Sequence, residues 1–216
     1  MKICFLASGG GGNFKFLHLA KELEIIKNIE LFLIADRECG SLKYAINSGI
    51  YSKKINYTRN NNIELVEKLE KINPDIIVTN WYKIIDTEIV QKYNGKLINL
   101  HYSLLPSFDG LIGIEPIKQA YEKNCQYVGA TCHFVDEGVD SGKIISQALL
   151  RTNICIDDAV QQVFEKGCLI LLNSIIHLSH KNIMKKSENN KFEYSPYLLF
   201  DDSIFDNKFW ERLSNL

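Results

Sequence analysis

A chain of 216 residues, 46% hydrophobic and 24% charged, is long enough to bury one sizeable core. Its net charge of -1 supplies no global field toward nucleic acid or an acidic membrane surface, and no run approaches the roughly 18 apolar residues of a membrane span. Cys4, Cys39, Cys125, Cys132, Cys155 and Cys168 form no CxxC pair, and several lie in apolar runs. That pattern suits buried reduced thiols in a cytoplasmic protein and excludes a zinc site or a disulfide framework. The opening MKICFLASGGGG has only a short apolar run before its glycines, so it lacks the apolar region of a signal peptide.

Residues 2–7 read as a buried strand. Ser8 and four glycines follow, and Asn13 opens an amphipathic helix carrying Phe14, Phe16, Leu17, Leu19 and Leu23. A strand, a glycine turn and a helix N-terminus offer an anion free N–H groups and the positive end of the helix dipole. A bare tight turn is the plainer explanation, but four consecutive glycines cost chain entropy that a turn alone does not require. The spacing is neither GxGxxG nor a Walker pattern, since no Lys-Ser/Thr pair follows.

A second apolar strand covers residues 29–35, a helix 40–49 and a short strand 52–57. A helix follows over 63–72, with Ile63, Val66, Leu69 and Ile72 on one face and Pro74 after it. Residues 75–79, DIIVT, are too continuously apolar for an exposed strand and read as central in a parallel sheet. This alternation predicts an α/β fold: a Rossmann-like, doubly wound, mostly parallel sheet with helices on both faces. Ligands of such sheets gather at the carboxyl ends of the strands. Trp81, Tyr82, Ile84 and Ile85 offer a flat apolar wall at one such end, with ordinary core as the even alternative.

Residues 88–93 read as a short helix. The stretch LINLHYSLLPSFDG, residues 97–110, then reads as a strand that surfaces and breaks at Pro106 and Gly110. Side chains two apart share a strand face, so Asn99 and His101 aim together. Residues 116–123 read as a helix. Residues 129–135 form a strand with Thr131, His133 and Val135 on one face, and a loop at 136–142 holds Asp136, Glu137 and Asp140. A solvated loop acid is the plain reading of these carboxylates. A strand begins at Lys143, and Asp157 and Asp158 mark the start of a long apolar helix through Leu178. Residues 180–191 read as a polar, basic connection. The aromatic tail (Phe192, Tyr194, Tyr197, Phe200, Phe205, Phe209, Trp210) must pack on the domain or on a partner subunit, so a homodimer is one of two expectations.

Asn99, His101 and Asp140 suit the attack of an amine on a carbonyl carbon. An amide and an imidazole can donate to the growing oxyanion, and a carboxylate can orient the imidazole or take the proton. A Ser103–His101 hydrolase pair is disfavoured, because no GxSxG elbow surrounds the serine.

NLHYSLLPS at 99–107 and HFVDEGVDSGKII at 133–145 resemble the signature of the folate-dependent formyltransferases. The similarity extends over residues 1–180, with 181–216 as connection and tail. The resemblance implies a formyl donor, 10-formyltetrahydrofolate, and a primary-amine acceptor, with neither nucleic acid, membrane nor metal as partner. It implies that Asn99 and His101 hold the formyl carbonyl while Asp140 supports His101 and proton transfer. It places the pterin against Trp81, Tyr82, Lys83, Ile84, Ile85, Val90 and the loop Val135, Asp136, Glu137, Gly138 and Val139. It places the acceptor's phosphate at Gly10, Gly11, Gly12 and Asn13.

The departures fall on the acceptor side. Gly12 stands where the ribonucleotide enzymes of the family usually have serine, Gly167 and Cys168 where they have Glu-His, and Gln162 where a basic residue is expected, with Lys166 as its possible substitute. Tyr82 and Lys83 replace a Met-Arg pair, and GLIGIEPIKQA at 110–120 is longer than usual. These changes favour another phosphorylated or nucleotide-linked amine as acceptor, foremost an amino sugar, with glycinamide ribonucleotide of purine biosynthesis as the alternative. Hydrolases of the same fold strip formate from the donor and usually carry an N-terminal regulatory domain, for which a strand at Lys2 leaves no place. A non-enzymatic nucleotide-binding domain would have no need of the trio.

Overall fold

The continuously apolar runs near the N-terminus become the central strands of the sheet. The computed structural model describes residues 1–59, 61–179, 182–185, 187 and 191–216. The connection expected at 180–191 lies partly outside the described residues. Two units are distinct: Met1–Ile98 with Lys181–Met184 and Phe205–Leu216, and Asn99–His180 with Lys185–Ile204.

The first unit contains β1 (Lys2–Ala7), α1 (Gly12–Glu22), β2 (Glu30–Ala35), α2 (Gly40–Asn47), β3 (Ser52–Lys54), α3 (Ile63–Ile72), β4 (Ile76–Asn80), α4 (Thr87–Lys92) and the start of β5 (Leu97–His101). Its strand order is β3-β2-β1-β4-β5. β1 pairs in parallel with β2 on one side and β4 on the other, so Phe5 lies opposite both Leu33 and Val78. Ile3, Cys4, Phe5 and Leu6 are wholly buried, as expected of a strand covered on both faces. The chain reverses its winding between β1 and β4. That is the topological switch point, where open α/β sheets form their ligand crevice. Ser8 and the glycine turn follow one of these strands; Trp81 and Tyr82 follow the other.

Two helices differ from their expected faces. Leu23 caps the C-terminus of α1 and is exposed. α3 buries Leu65, Leu69 and Ile72, while Ile63 is 67% exposed. Both stripes satisfy the helical period, and tertiary packing chooses between them. The last helix of the chain, Asn207–Ser214, belongs to this unit. Asp206 caps it by accepting from Phe209 N at 2.9 Å. Its Phe209 and Trp210, with Phe205, surround Phe16 of α1 at ring-centroid distances of 5.6, 5.6 and 5.1 Å.

The second unit takes the end of β5, then α5 (Glu115–Glu122), β6 (Tyr127–Phe134), β7 (Ile144–Arg151), α6 (Ile156–Leu178), β8 (Tyr194–Ser195) and a single 3-10 turn at Asp202–Ile204. Its order is β5-β6-β7-β8, with β6-β7 and β7-β8 antiparallel. Gly129 lets β6 approach β7, because a Cβ there would stand 2.0 Å from Ala148 O. Helix α6 covers β6 and β7 with Val163, Ile170, Leu171 and Ile175. Its buried Asn173 holds the tail, accepting from Leu199 N at 2.8 Å and donating to Tyr197 O at 3.2 Å. The aromatic tail is therefore divided: Tyr194 and Phe200 are buried in this unit, Phe205 and Phe209 in the first, and Phe192 is exposed.

All six cysteines are free thiols. Burial pushes the Cys132 thiol up to about 12 and raises Cys4 and Cys168 as well, so these three are inert, whereas Cys155 is exposed. Among the described residues no helix is long and apolar enough to cross a membrane.

Phe16→Ala should remove the centre of the aromatic cluster and cost about 3–5 kcal/mol of stability. Urea unfolding checks this; a loss below about 1 kcal/mol would mean that the cluster contributes only packing that the site can readily recover.

Candidate active site

Strand β5 delivers Asn99 and His101 to one place, as their spacing requires, and a single carboxylate meets both. Asp140 Oδ1 accepts from Asn99 Nδ2 at 3.3 Å, and Oδ2 lies 3.3 Å from His101 Nδ1. A third side chain completes the group. His133, on β6, sets Nε2 3.6 Å from Asp140 Oδ1 and 3.5 Å from Asn99 Nδ2. Sequence reasoning placed His133 on a strand face with Thr131 and gave it no role. The available signal was a histidine near the end of a buried strand, just before the loop that carries Asp140. His101, His133 and Asp140 are 6%, 2% and 11% exposed, so water screens these contacts poorly.

The main chain fixes which ring nitrogens donate. His101 Nε2–H donates to Phe108 O at 3.0 Å, and His133 Nδ1–H donates to Phe134 O at 2.8 Å. The other nitrogen of each ring faces Asp140. A neutral ring would turn a lone pair toward the carboxylate; a proton on either facing nitrogen replaces that repulsion with a charge-assisted hydrogen bond. Gly110 N also donates to Asp140 Oδ2, at 2.9 Å. Burial alone would raise the Asp140 carboxyl. The nearby His133 ring, the Gly110 N–H and the imidazole charges outweigh it, and the group sits below its ordinary range.

Local chemistry holds the loops that supply these groups. Ser103 Oγ donates to Ser107 O at 2.6 Å, and Thr131 Oγ1 joins Ser103 O to Leu105 N and Gln147 Nε2. Ser103 thus serves as a turn staple, and no nucleophile is made of it. In the following loop Asp136 accepts from Gly138 N and Ser141 Oγ, at 3.1 and 2.8 Å. Gly142 admits no Cβ, which would meet Phe134 O at 1.7 Å, and a Cβ at Gly138 would displace the Ser141 hydroxyl, 2.1 Å away, from Asp136. Asp136 and Gly138 therefore shape the loop. Val139 and Glu137 stand out from it, while Val135 is half-buried.

In the first unit the expected aromatic wall separates into two kinds of residue. Trp81, Ile85 and Val90 are buried. Trp81 packs on Tyr57 with ring centroids 4.9 Å apart, and its indole Nε1 is the one buried side-chain polar atom among the described residues without a partner. Tyr57 also donates to Asp86 Oδ2 and Ile84 O, which ties the segment to the core; burial pushes its phenol up to about 12. Tyr82, Lys83 and Ile84 are exposed. At the glycine turn, Gly11 caps α1 with φ 71°, and a Cβ there would lie 2.4 Å from Ser41 Cβ. Gly10 faces open space with nothing within 4 Å of an added Cβ, and Asn13 is buried.

On α6, a side chain at Gly167 would come within 3.0 Å of the Tyr102 ring and 3.3 Å of Leu100, and Cys168 is wholly buried. Lys166 is paired with Glu193 at 3.7 Å and lies over the Tyr194 ring at 4.8 Å. It is thus spent within the second unit, which answers the expectation that it replaces the missing basic residue. Gln162 is exposed.

Because the Asp140 carboxyl is depressed in the folded chain, its ionisation stabilises the fold above the unfolded carboxylate value of about 4, and this is lost as pH falls through the folded value. Denaturant midpoints of the wild type and Asp140→Asn should differ most above about pH 4 and converge as the pH falls below it. A difference independent of pH would show that the carboxylate charge contributes nothing.

The sequence model of the Formyl transferase family matches residues 1–168. A chloroplastic phosphoribosylglycinamide formyltransferase of Arabidopsis thaliana is 29% identical over 190 residues, which cover 83% of this chain and 62% of the relative. A formyltetrahydrofolate deformylase of Haemophilus influenzae is 36% identical over 90 residues, 41% of this chain and 31% of the relative. The chain thus spans less than two thirds of the length of both. The crystal structure of glycinamide ribonucleotide transformylase 1 from Symbiobacterium toebii is similar at TM-score 0.71 and 26% identity, over 81% of this chain and 85% of that one. With the Rossmann-like α/β fold already described, the match across residues 1–168 means that this chain belongs to the formyl transferase family.

Proposed function

We propose that the chain transfers the formyl group of 10-formyltetrahydrofolate to the primary amine of glycinamide ribonucleotide, a step of purine biosynthesis. The convergence of Asn99, His101 and His133 on Asp140 carries this reading. The departures at Gly12, Gly167 and Cys168 led the sequence reading toward an amino sugar. The relatives described above lend that acceptor no support: two are named for the glycinamide ribonucleotide reaction and one for formyltetrahydrofolate. The ribonucleotide replaces it.

The amine nitrogen attacks the formyl carbon and forms the new C–N bond. The carbonyl electron pair moves to oxygen, where Asn99 Nδ2–H and the His101 ring N–H hold it. His101 Nε2–H must exchange Phe108 O for this oxyanion, and catalytic hydrogen bonds often tighten only around substrate. The amine proton passes to the Asp140 carboxylate. Collapse of the intermediate breaks the bond from carbon to the folate nitrogen, and Asp140 returns that proton to the nitrogen as tetrahydrofolate departs. His133 and Gly110 N keep Asp140 ionised and aimed at His101. We assign the pterin to Trp81, Lys83, Ile84, Ile85, Val90 and residues 135–139, and the acceptor's phosphate to Gly10, Gly11, Gly12 and Asn13. The open face at Gly10 supports the latter. A second reading, hydrolysis of the same donor, draws on the deformylase similarity and would use water in place of the amine.

Turnover is followed as release of tetrahydrofolate from 10-formyltetrahydrofolate and glycinamide ribonucleotide. His101→Ala and Asp140→Ala should each lower kcat by about 10²- to 10³-fold while retaining folate affinity. Unchanged rates in either variant contradict the mechanism, and a wild type inert toward the ribonucleotide contradicts the acceptor.

A further inference from the structure

We infer that Arg37 and Tyr82 select the acceptor by its phosphate, forming beside the glycine turn a clamp for a ribosyl 5′-phosphate. This rests on the assignment of that turn to the acceptor and adds two residues to it, one of them moved from the folate side.

Three strand ends of the first unit meet here. Ser8 follows β1, Asp36 and Arg37 follow β2, and Tyr82 follows β4 by two residues. The Asp36 side chain is only 1% exposed. It takes Arg37 Nε at 3.1 and 3.2 Å on its two oxygens and Nη2 at 2.7 Å. The Ser8 hydroxyl accepts from Tyr82 N at 3.0 Å. A surface arginine ordinarily keeps its rotamer freedom. Here a buried carboxylate holds one edge of the guanidinium, while the Arg37 side chain stays 47% exposed. Burying a carboxylate to hold a half-exposed cation is a poor source of stability, since desolvation offsets most of the attraction. It is an effective way to fix a donor in advance of a ligand.

The fixed cation packs on Tyr82, and Tyr82 reaches the turn. The Arg37 guanidinium lies 5.6 Å from the Tyr82 ring centroid, and the Tyr82 hydroxyl is 3.3 Å from where a Gly9 Cβ would be. The turn is therefore closed at Gly9 by Tyr82 and at Gly11 by Ser41, and open at Gly10. An anion entering at Gly10 meets main-chain N–H groups, with a phenol hydroxyl on one side and a planar guanidinium behind the ring. Arginine's fork suits phosphate oxygens better than a point charge does. The pair also restores a hydroxyl donor near a turn that has glycine at position 12.

Ribose 5-phosphate and ribose are the probes for direct binding by calorimetry, which does not depend on turnover. The wild type should bind ribose 5-phosphate and not ribose. Arg37→Ala should weaken ribose 5-phosphate by about 10- to 100-fold, the usual range for a charged hydrogen bond, with Arg37→Lys partway back. Tyr82→Phe should weaken it by about two- to fivefold, near the low end for a neutral hydrogen bond. In turnover assays the KM for glycinamide ribonucleotide should rise in parallel while that for 10-formyltetrahydrofolate stays within about twofold. Unchanged ribose 5-phosphate affinity in a folded Arg37→Ala overturns the clamp, as does a rise confined to the folate KM. Arg37-dependent ribose 5-phosphate binding without ribonucleotide turnover keeps the clamp and removes the acceptor proposed above. Turnover that is insensitive to Arg37 does the reverse.

Discussion

Two imidazoles, one amide and one main-chain N–H all face the carboxylate of Asp140, and the rest of the second unit is built to keep them there. The constraint is electrostatic. Each ring has its outer nitrogen committed as a donor to a main-chain carbonyl, so the nitrogen facing Asp140 is forced to be either a lone pair or the seat of a proton. Opposite an ionised carboxylate, a facing nitrogen that carries a proton makes a charge-assisted hydrogen bond, and one without it turns a lone pair to like charge. The backbone supports this arrangement with three left-handed residues: Phe108, Gly110 and Asp140, at φ 60°, 72° and 52°. Each non-glycine in that region costs on the order of 1–2 kcal/mol, which the surrounding hydrogen bonds must offset.

How far the sequence revealed this depends on which interactions are local. The runs ICFLA, LFLIA and IIVT could only be buried strands, because nothing in them alternates, and they form β1, β2 and β4. The shared face of Asn99 and His101 follows from strand geometry alone. His133 was visible as a strand residue and invisible as a partner of Asp140, because that contact exists only after the loop at 136–142 folds back. The fold of that loop depends on Asp136, Gly138 and Gly142, whose roles are equally non-local. The faces of α1 and α3 differ from the expected ones at Leu23 and Ile63 for a related reason: period limits the candidate stripes and packing selects one. An aromatic such as Trp81 looks the same in a core and in a binding wall, and here Tyr57 settles its packing.

The acceptor side shows what departures from a family pattern can and cannot say. Gly167 is now explicable, since the Tyr102 ring occupies the space that a side chain would need. Lys166 is committed to Glu193 and Tyr194. These residues show where the chain has been rebuilt, but they do not name the molecule the rebuilding serves. The departures alone point to an amino sugar, and the names of the relatives point to the ribonucleotide. Arg37 and Tyr82, held at the switch point by Asp36 and Ser8, fit a phosphorylated acceptor without the residues that changed on α6.

The central claim is that the trio passes a formyl group to an amine and not to water. Donor labelled with carbon-13 in the formyl group, mixed with the protein and glycinamide ribonucleotide and followed by NMR, tests it directly. The label should appear as an N-formyl carbon on the ribonucleotide, with no build-up of formate above the enzyme-free control. Accumulation of labelled formate with an unmodified ribonucleotide would contradict the account and make the chain a hydrolase of the same donor.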